Sequence, residues 1–358
     1  MLSQLRLVNF RCYPDLRWTI PPEGAIIVGN NAGGKTSILE AACFLLRLQS
    51  PRTSRIAHLI KHEASSFGIR GVIADQTRRL VWNGQKPDLR VNGEPRLDQR
   101  DYLTDSYPIV WLGNADLDLV QAGADARRRY LDFLGTQWHP IYREELMRYN
   151  RALKSRNHLL KNPSPNQRQL EAYTHTLALH GDKLMQIRAD LVRILTPHAI
   201  HAFHAIGGNK DNNPVEQFAI SYQASCPINL EQTLMSELAR DLRYGQTQIG
   251  PHRDDLILNI DGMPASQFAS EGQQRTIAIA LKMAQSSLLR EETGRAPIHL
   301  IDDVFGELDP SRRLALLQAL PNDSQSIITT THLTWMNGQS STLPIFDLKQ
   351  RNLTLRTH

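Results

Sequence analysis

Short runs and alternations of apolar residues dominate the first hundred positions, which is typical of strands. Residues 2–8 alternate apolar and polar side chains, and residues 25–28 form a short apolar run. The second run leads directly into a glycine-rich loop and then into an apolar-periodic segment over 38–48, which predicts a strand–loop–helix unit. Two Asn-Gly pairs between 69 and 97 indicate hairpin turns. We therefore expect parallel strands combined with an antiparallel sheet.

Between about 116 and 196 the pattern changes to the period of a helix. Residues 142–160 carry one apolar face, and residues 170–194 carry a heptad-like apolar set. A Pro-containing breaker at 161–166 separates them, so an arm of two antiparallel helices is predicted. His180 falls on the apolar seam, where we expect a buried histidine with a local partner rather than a metal ligand.

The C-terminal third returns to an α/β pattern. A strand is predicted near 254–260, a helix over 274–289, and two further strands over 298–302 and 326–331. The chain contains no internal repeat and no low-complexity tract.

Composition narrows the class of protein. The chain has 358 residues, enough for two lobes, and its 41% apolar and 22% charged residues argue against disordered, collagen-like or coiled-coil-only chains. No run of 18 apolar residues suggests a bilayer crossing, and Arg6 and Arg11 interrupt the stretch that a signal peptide needs. The three cysteines are too few and too widely spaced for a disulfide framework or a Cys-rich zinc site, so we expect a reducing cytoplasm.

The net charge of +5 is concentrated in one segment, because residues 121–170 contain ten basic and four acidic side chains. A local cationic field of this kind favours polyanions such as nucleic acid. It is also the pattern of a solvated helix face, and charge alone leaves both interpretations open. The candidate DNA contacts in this segment are Arg127, Arg128, Arg129, Lys154 and Arg156.

The glycine-rich loop carries the clearest chemistry. Residues 29–36 (GNNAGGKT) fit the pattern G-x-x-x-x-G-K-[ST] between a predicted strand and a predicted helix. Glycines let the backbone aim N–H groups at phosphate oxygens, and the helix N-terminus adds partial positive charge. We expect Lys35 to reach the β- and γ-phosphates and Thr36 to ligate Mg²⁺. The candidate binding residues of this nucleoside triphosphate site are Gly29, Asn30, Asn31, Ala32, Gly33, Gly34, Lys35, Thr36 and Ser37.

Two adjacent carboxylates follow the predicted strand at 298–302. Beside a phosphate loop, Asp302 is expected to hold Mg²⁺ and Asp303 to orient or deprotonate the attacking water, although such a pair can also cap a turn. His332 follows the next strand and is a candidate γ-phosphate sensor; taken alone, it would be read as a surface histidine. Arg11 is either a nucleotide contact or an ordinary surface arginine. The candidate catalytic residues are Lys35, Asp303 and His332.

A second anion site is predicted at 270–275 (SEGQQR), where a helix begins. The hydroxyl of Ser270 and the backbone N–H of Gly272 would form it. Because the phosphate loop already accounts for one triphosphate, this site is best explained by a nucleotide bound to a partner subunit. The spacing resembles the signature of ABC-type ATPases, in which two subunits sandwich two ATP molecules.

These motifs together resemble the RecF family of bacterial recombinational-repair proteins, relatives of the SMC-type ATPases. The matching segments run in family order along nearly the whole chain: 9–13, 29–41, 127–132, 154–161, 250–256, 270–275 and 302–309. One departure stands in the phosphate loop, where the family usually has Asn-Gly and this chain has Asn31-Ala32. The added methyl group disfavours positive φ.

The patterns and the resemblance imply an α/β fold in two lobes. A P-loop ABC-type ATPase lobe, with mixed parallel and antiparallel sheets around a helix, is expected over 1–115 plus 296–358. A second, mainly helical lobe is expected over 116–295; it would hold the basic helical arm (about 116–196) and the signature helix (about 270–290).

The resemblance also implies a function. It implies a protein of recombinational repair, replication-fork maintenance and the SOS response that uses ATP and Mg²⁺, dimerises on ATP and is a weak, DNA-stimulated ATPase. The implied partners are double-stranded and gapped or junction DNA, mediator proteins of the RecO and RecR type, and indirectly the recombinase, with no membrane. Ser270, Gly272, Gln273 and Asp309 would act in trans on the partner's ATP.

Two other functions are compatible with a phosphate loop. A P-loop small-molecule phosphotransferase would need a lid and an acceptor pocket, and it has no use for the motif at 270–273. A transporter's nucleotide-binding subunit is disfavoured by segment 9–13, by the basic arm and by the roughly 235 residues between Lys35 and Ser270.

Overall fold

The computed structural model describes residues 1–162, 164–207, 216–226, 229–336 and 342–356. The chain forms two compact units, Met1–Asn114 with Leu289–His358, and Ala115–Leu288. The strands are β1 (Leu2–Phe10), β2 (Tyr13–Thr19), β3 (Gly24–Val28), β4 (Phe67–Ile73), β5 (Gln76–Trp82), β6 (Asp88–Val91), β7 (Glu94–Pro95), β8 (Ile109–Gly113), β9 (Phe218–Gln223), β10 (Asp255–Ile260), β11 (Met263–Pro264), β12 (Ile298–Asp302), β13 (Ser326–Thr330), β14 (Ile345–Lys349) and β15 (Asn352–Leu355). The α-helices are α1 (Lys35–Arg47), α2 (Gln99–Leu103), α3 (Asp118–Gln121), α4 (Ala124–Trp138), α5 (Tyr142–Leu160), α6 (Gln167–Gly207), α7 (Leu230–Ser236), α8 (Leu238–Tyr244), α9 (Ala265–Phe268), α10 (Glu271–Thr293) and α11 (Pro310–Ala319).

An antiparallel sheet in the first unit has the strand order β2-β1-β4-β5-β6-β7. Buried and exposed residues alternate along much of β1 and β4, so one face of the sheet is apolar and the other meets solvent. Asn92 and Gly93 join β6 to β7 with φ of 53° and 87°. This is one of the hairpin turns that the Asn-Gly pairs predict.

A second sheet in the same unit has the order β15-β14-β3-β13-β12-β8, in which all strands but β15 run parallel. α1 is buried along nearly its whole length and contacts strands of both sheets, because it is apolar on both faces. The carboxyl ends of β3, β13 and β12 lie side by side at one edge of this sheet. Ligand sites of parallel sheets form at that edge.

The second unit combines helices with an antiparallel sheet of order β11-β10-β9. α5 and α6 pack against each other as the predicted arm, and α6 continues beyond the predicted end to Gly207. His180 is buried, and its Nδ1 lies 2.6 Å from Oε2 of Glu145, the kind of local partner that the seam position predicts. Of the helices in the described residues, none has both the length and the hydropathy needed to cross a membrane.

The five residues predicted to contact DNA have different environments in the structure. Arg127 donates two hydrogen bonds to Asp255, at 2.7 and 2.8 Å, and Arg128 donates to the carbonyl of Asp254 at 2.6 Å. These contacts hold α4 against the start of β10. Arg129 and Lys154 are exposed.

The prediction that Arg156 contacts DNA is wrong. Its side chain is 0% exposed, and its guanidinium donates to Asp241 at 2.7 Å, to Thr247 at 2.7 Å and to Thr174 at 2.9 Å. A fully buried arginine whose charge is already compensated by Asp241 cannot reach a ligand on the surface. Its role is to tie α5 to α6 and to the segments around 241 and 247.

We expect Arg156→Met to lower the free energy of unfolding by about 3–5 kcal/mol, because Asp241 is left buried without its counter-charge. Arg156→Met with Asp241→Asn should recover part of this loss, as measured by chemical denaturation. DNA affinity, measured where the variant is folded, should stay at the wild-type value. Unchanged stability together with weaker DNA binding would contradict the buried role.

Candidate functional site

The loop between β3 and α1 is closed by its own backbone. The N–H of Gly33 donates to the carbonyl of Asn30 at 3.1 Å, and the N–H of Gly29 donates to Thr330 on β13 at 3.2 Å. Gly34 has a φ of 104°, and a Cβ there would lie 2.6 Å from the hydroxyl oxygen of Tyr13 and 2.7 Å from Sγ of Cys12. Both the dihedral angle and the space therefore require glycine at this position.

Ala32 also adopts the left-handed conformation, with a φ of 61°. Ala32 thus adopts the positive φ that a glycine at this position would adopt without strain. An alanine in this region costs about 1–2 kcal/mol relative to the ordinary helical conformation. The loop accepts this strain at an exposed position beside the ligand cleft.

The ammonium of Lys35, the first residue of α1, lies in the hollow of the loop. Its Nζ donates to the carbonyls of Gly29 at 2.6 Å and Asn30 at 3.1 Å. Burial lowers the pKa of Lys35, and the charges of Asp303 and Asp302 oppose this shift. The sequence places a cation at the start of a helix, inside a turn of backbone, where an anion binds most favourably.

Thr36 and Asp302 meet at the carboxyl edge of the parallel sheet. The Thr36 hydroxyl donates to Oδ1 of Asp302 at 2.9 Å, and the Thr329 hydroxyl donates to the same oxygen at 2.8 Å. Burial raises the pKa of Asp302, while these two hydrogen bonds act in the opposite direction. A hydroxyl and a carboxylate oxygen side by side suit Mg²⁺, which prefers oxygen ligands, so the residues present fit the predicted metal.

Asp303 follows β12 with a φ of 54°. Its backbone N–H donates to the carbonyl and to the hydroxyl of Thr329, both at 3.1 Å, which holds the residue in this conformation. Left-handed backbone at a residue other than glycine is concentrated at functional sites. Asp303 lines the same cleft as Lys35.

A cleft of about 710 Å³ opens over the loop and is strongly cationic. Besides loop residues 31–37, it is lined by Arg11, Cys12, Arg52, His58, Ile60, Lys61, His62, Asp303 and Arg351. Arg52, Lys61 and Arg351 are not among the residues predicted from the sequence. They come from irregular segments and from the β14–β15 hairpin, and only the pairing of β14 with β3 carries that hairpin to the loop. A lining of this charge attracts a polyphosphate.

Arg11 is anchored inside the cleft wall. Its guanidinium donates to both carboxylate oxygens of Glu40, at 2.7 and 2.8 Å, and to the carbonyl of His58 at 2.7 Å. Glu40 is on α1 and is 0% exposed. Arg11 is therefore not an ordinary surface arginine, and its contact with a nucleotide stays a prediction.

His332 lies two residues beyond β13 and is exposed, with Nδ1 2.7 Å from the hydroxyl oxygen of Thr334. It is not among the residues that line the 710 Å³ cleft. Its role as a sensor therefore stays a prediction that requires the side chain to turn toward bound phosphate.

The predicted signature segment begins α10 with a reciprocal cap. The backbone N–H of Gln273 donates to the Ser270 hydroxyl at 3.2 Å, and the N–H of Ser270 donates to Oε1 of Gln273 at 2.6 Å. Nε2 of Gln273 also donates to Glu216 at 2.9 Å. Ser270 is exposed and Gly272 partly exposed, which leaves the helix start open to a ligand.

Asp309 caps α11 by accepting hydrogen bonds from the N–H of Arg312 at 3.0 Å and from Ser311 at 2.6 Å. Burial would raise the pKa of Asp309, but these hydrogen bonds outweigh it and hold the pKa well below its usual range. The carboxylate thus has a structural role within the chain, and its action in trans stays a prediction.

Comparison with known proteins decides the family. A family model described as an AAA domain matches residues 4–170. The chain is 36% identical over 349 residues to the DNA replication and repair protein RecF of Acaryochloris marina, with 93% of each chain covered. It is 34% identical over 355 residues to that of Lactococcus lactis subsp. cremoris, with 96% of each covered. The chain belongs to the RecF family. The predicted family is thus confirmed, and the phosphotransferase and transporter alternatives are set aside.

Solved structures agree with this assignment. The fold matches a structure of the recombination mediator protein RecF with ATP, of the RecFOR pathway, with a TM-score of 0.87 at 27% identity over 99% of this chain and 97% of that chain. An SMC head bound to the C-winged helix domain of ScpA matches with a TM-score of 0.53 at 15% identity and bears on the fold alone. The predicted fold class, an ABC-type ATPase lobe with mixed sheets and a second lobe, is confirmed.

We expect Gly34→Ala to abolish nucleotide binding, because the new Cβ collides with Tyr13 and Cys12 and the φ of 104° is strained for alanine. Ala32→Gly is the matched control: it relieves the left-handed alanine and should keep full affinity without loss of thermal stability. Titration with a fluorescent ATP analogue and thermal melts measure both effects. If Gly34→Ala bound the ATP analogue as tightly as the wild type does, glycine would not be required at this position of the loop.

Proposed function

We propose that this chain is a DNA-binding ATPase of recombinational repair, in which ATP and Mg²⁺ bind in the 710 Å³ cleft and drive dimerisation. The observation that carries the proposal is the 2.9 Å hydrogen bond between Thr36 and Asp302, which joins the phosphate loop to the carboxylate strand beside Lys35. The names of the curated relatives, and the ATP in the similar solved structure, support it.

The residues predicted to be catalytic or to hold Mg²⁺ each have a proposed part in hydrolysis. Lys35 would exchange its loop carbonyls for β- and γ-phosphate oxygens, and the backbone N–H groups of the loop would hold the same phosphates. Thr36 and Asp302 would hold Mg²⁺, which neutralises phosphate charge when bound. Asp303 would take a proton from the water whose oxygen attacks the γ-phosphorus, while the bond from that phosphorus to the β–γ bridging oxygen breaks and ADP leaves. His332 would report the γ-phosphate.

The second half of the site is proposed to come from another copy. Ser270 and Gly272 form an open helix start in the second unit, while the phosphate loop belongs to the first unit. Ser270, Gly272, Gln273 and Asp309 would contact the partner's ATP, so that hydrolysis occurs only in the dimer. Weak turnover follows, because the reactive arrangement forms only while two chains are closed.

The biological setting follows the family. The RecF name and the RecFOR pathway of the similar structure support a role in repair and replication-fork maintenance. We propose that the chain acts in the cytoplasm, recognises gapped or junction DNA, and works with mediators of the RecO and RecR type to load the recombinase. DNA that favours the closed dimer would stimulate hydrolysis.

ATP should convert an Asp303→Asn variant from monomer to stable dimer, because this change slows hydrolysis while leaving the phosphate loop intact. Ser270→Arg in the same background should still bind ATP but stay monomeric, since the bulky cation fills the open helix start. Light scattering with and without ATP measures both. A monomeric Asp303→Asn variant at saturating ATP would refute the shared site.

A further inference from the structure

The antiparallel sheet carries a feature that the nucleotide site does not use. Strand register pairs Arg6 with Arg17 and with Arg70, Arg70 with Arg79, and Arg79 with Arg90. Residues paired directly across strands lie on the same face of a sheet. Five arginines therefore form one line across β2, β1, β4, β5 and β6, which we call the arginine row: Arg17, Arg6, Arg70, Arg79 and Arg90.

The arginine row is open to solvent. Four of its residues are exposed and Arg90 is partly exposed. At about 4.8 Å between neighbouring strands, the row is roughly 19 Å long. It therefore presents a line of positive charge along the outer face of the sheet.

This arrangement works against folding. Like charges directly opposite each other destabilise a pair of strands, and the row contains four such pairs in succession. Asp15 lies 3.1 Å from Arg6 and 3.8 Å from Arg17, and Asp88 lies 3.1 Å from Arg90. These two carboxylates relieve only the ends of the row.

The centre of the row is uncompensated. In the described part of the chain, the guanidinium groups of Arg70 and Arg79 have neither an ion pair nor a hydrogen bond. The row destabilises the sheet, and its two central charges have no counter-charge. Such an arrangement indicates a polyanionic ligand.

The surroundings of the row indicate the kind of polyanion. On the same face, Asp15 and Asp88 flank the ends of the row, and the other neighbouring positions, among them Val8, Gly68, Val72, Thr77 and Val81, are uncharged. These short, uncharged side chains do not wall off the row from solvent. It suits an extended ligand that lies across the strands.

The positions of the aromatic residues on the same strands indicate whether the ligand is duplex or single-stranded nucleic acid. Phe67 and Trp82 stack on each other on the opposite face, with ring centroids 6.2 Å apart, and Phe10, Tyr13 and Trp18 are buried. Proteins that hold single strands rely on exposed aromatic rings to stack the bases. On the outer face, the arginine row supplies charges without an aromatic side chain from these strands, and such charges suit the phosphates of a duplex, spaced at about one charge per 1.7 Å of helix axis.

We propose that the arginine row is a binding surface for the backbone of double-stranded DNA, contacted without reading its bases. The proposal rests on the proposed function in taking DNA as the ligand, and it assigns a surface in the first unit, outside the basic segment 121–170. Within that segment, Arg156 is buried and Arg127 and Arg128 are engaged by the chain itself.

The test compares the full-length Arg70→Gln/Arg79→Gln variant with a matched control, Arg129→Gln/Lys154→Gln, which removes two exposed charges from the helical arm. Fluorescence anisotropy over a series of NaCl concentrations gives the affinity for a duplex and for a single strand of equal length. We expect the row variant to bind duplex roughly tenfold or more weakly, with the log–log salt slope smaller by about 2. Its thermal stability should not fall, because like-charge pairs are removed.

Several results would overturn the proposal: an unchanged duplex slope in the row variant, an equal loss in the arm control, or a loss confined to the single strand. An Arg70→Lys/Arg79→Lys variant must restore the slope, since the charge is kept, and failure to do so also overturns it. ATP-dependent dimerisation should be the same in all variants. Wild-type protein that binds no duplex at all would instead refute the DNA ligand of the proposed function.

Discussion

Parallel pairing of β3, β13 and β12 is the constraint on which the nucleotide site depends. The register aligns Val28 with Thr330 and Asp302 with Thr329, so the loops that follow residues 28, 302 and 330 leave the sheet at one edge. The Thr36–Asp302 hydrogen bond is the direct consequence, and it positions α1, whose first residue is Lys35. The strain at Ala32 and Asp303 is tolerated because this edge is fixed by buried strands on either side.

Arginine and lysine side chains have different roles in different parts of the molecule. In the cleft, cationic side chains from several loops surround the phosphate loop. One of them, Arg11, is held by two hydrogen bonds to Glu40 of α1. On the antiparallel sheet, arginines repel one another along a solvated face. In the helical unit, Arg156 is instead buried and fully compensated. An arginine can therefore attract a ligand, repel a neighbouring arginine or stabilise the fold. Its burial and its distance from a carboxylate decide which.

Much of the fold could be predicted from the sequence, because its signals are local. The Asn-Gly turn at 92–93, the strand–loop–helix unit and the helical arm follow from turn chemistry and periodicity, and the family motifs led to the confirmed fold class. The charge of segment 121–170 was a poor guide to which of its side chains are exposed, because charge counted along a chain ignores burial, as Arg156 demonstrates. The arginine row was invisible for the opposite reason: its members are scattered between positions 6 and 90, and only strand register brings them together.

We propose that one working site takes its phosphate loop from one copy of the chain and its signature helix from another. Mixing a Lys35→Ala chain with a Ser270→Arg chain tests this most directly, because each variant alone lacks one half of every site, whereas the mixed dimer contains one intact site. We predict that the mixture regains ATP hydrolysis that neither variant shows by itself. A mixture as inactive as its components, although mixed dimers are detected, would contradict the claim.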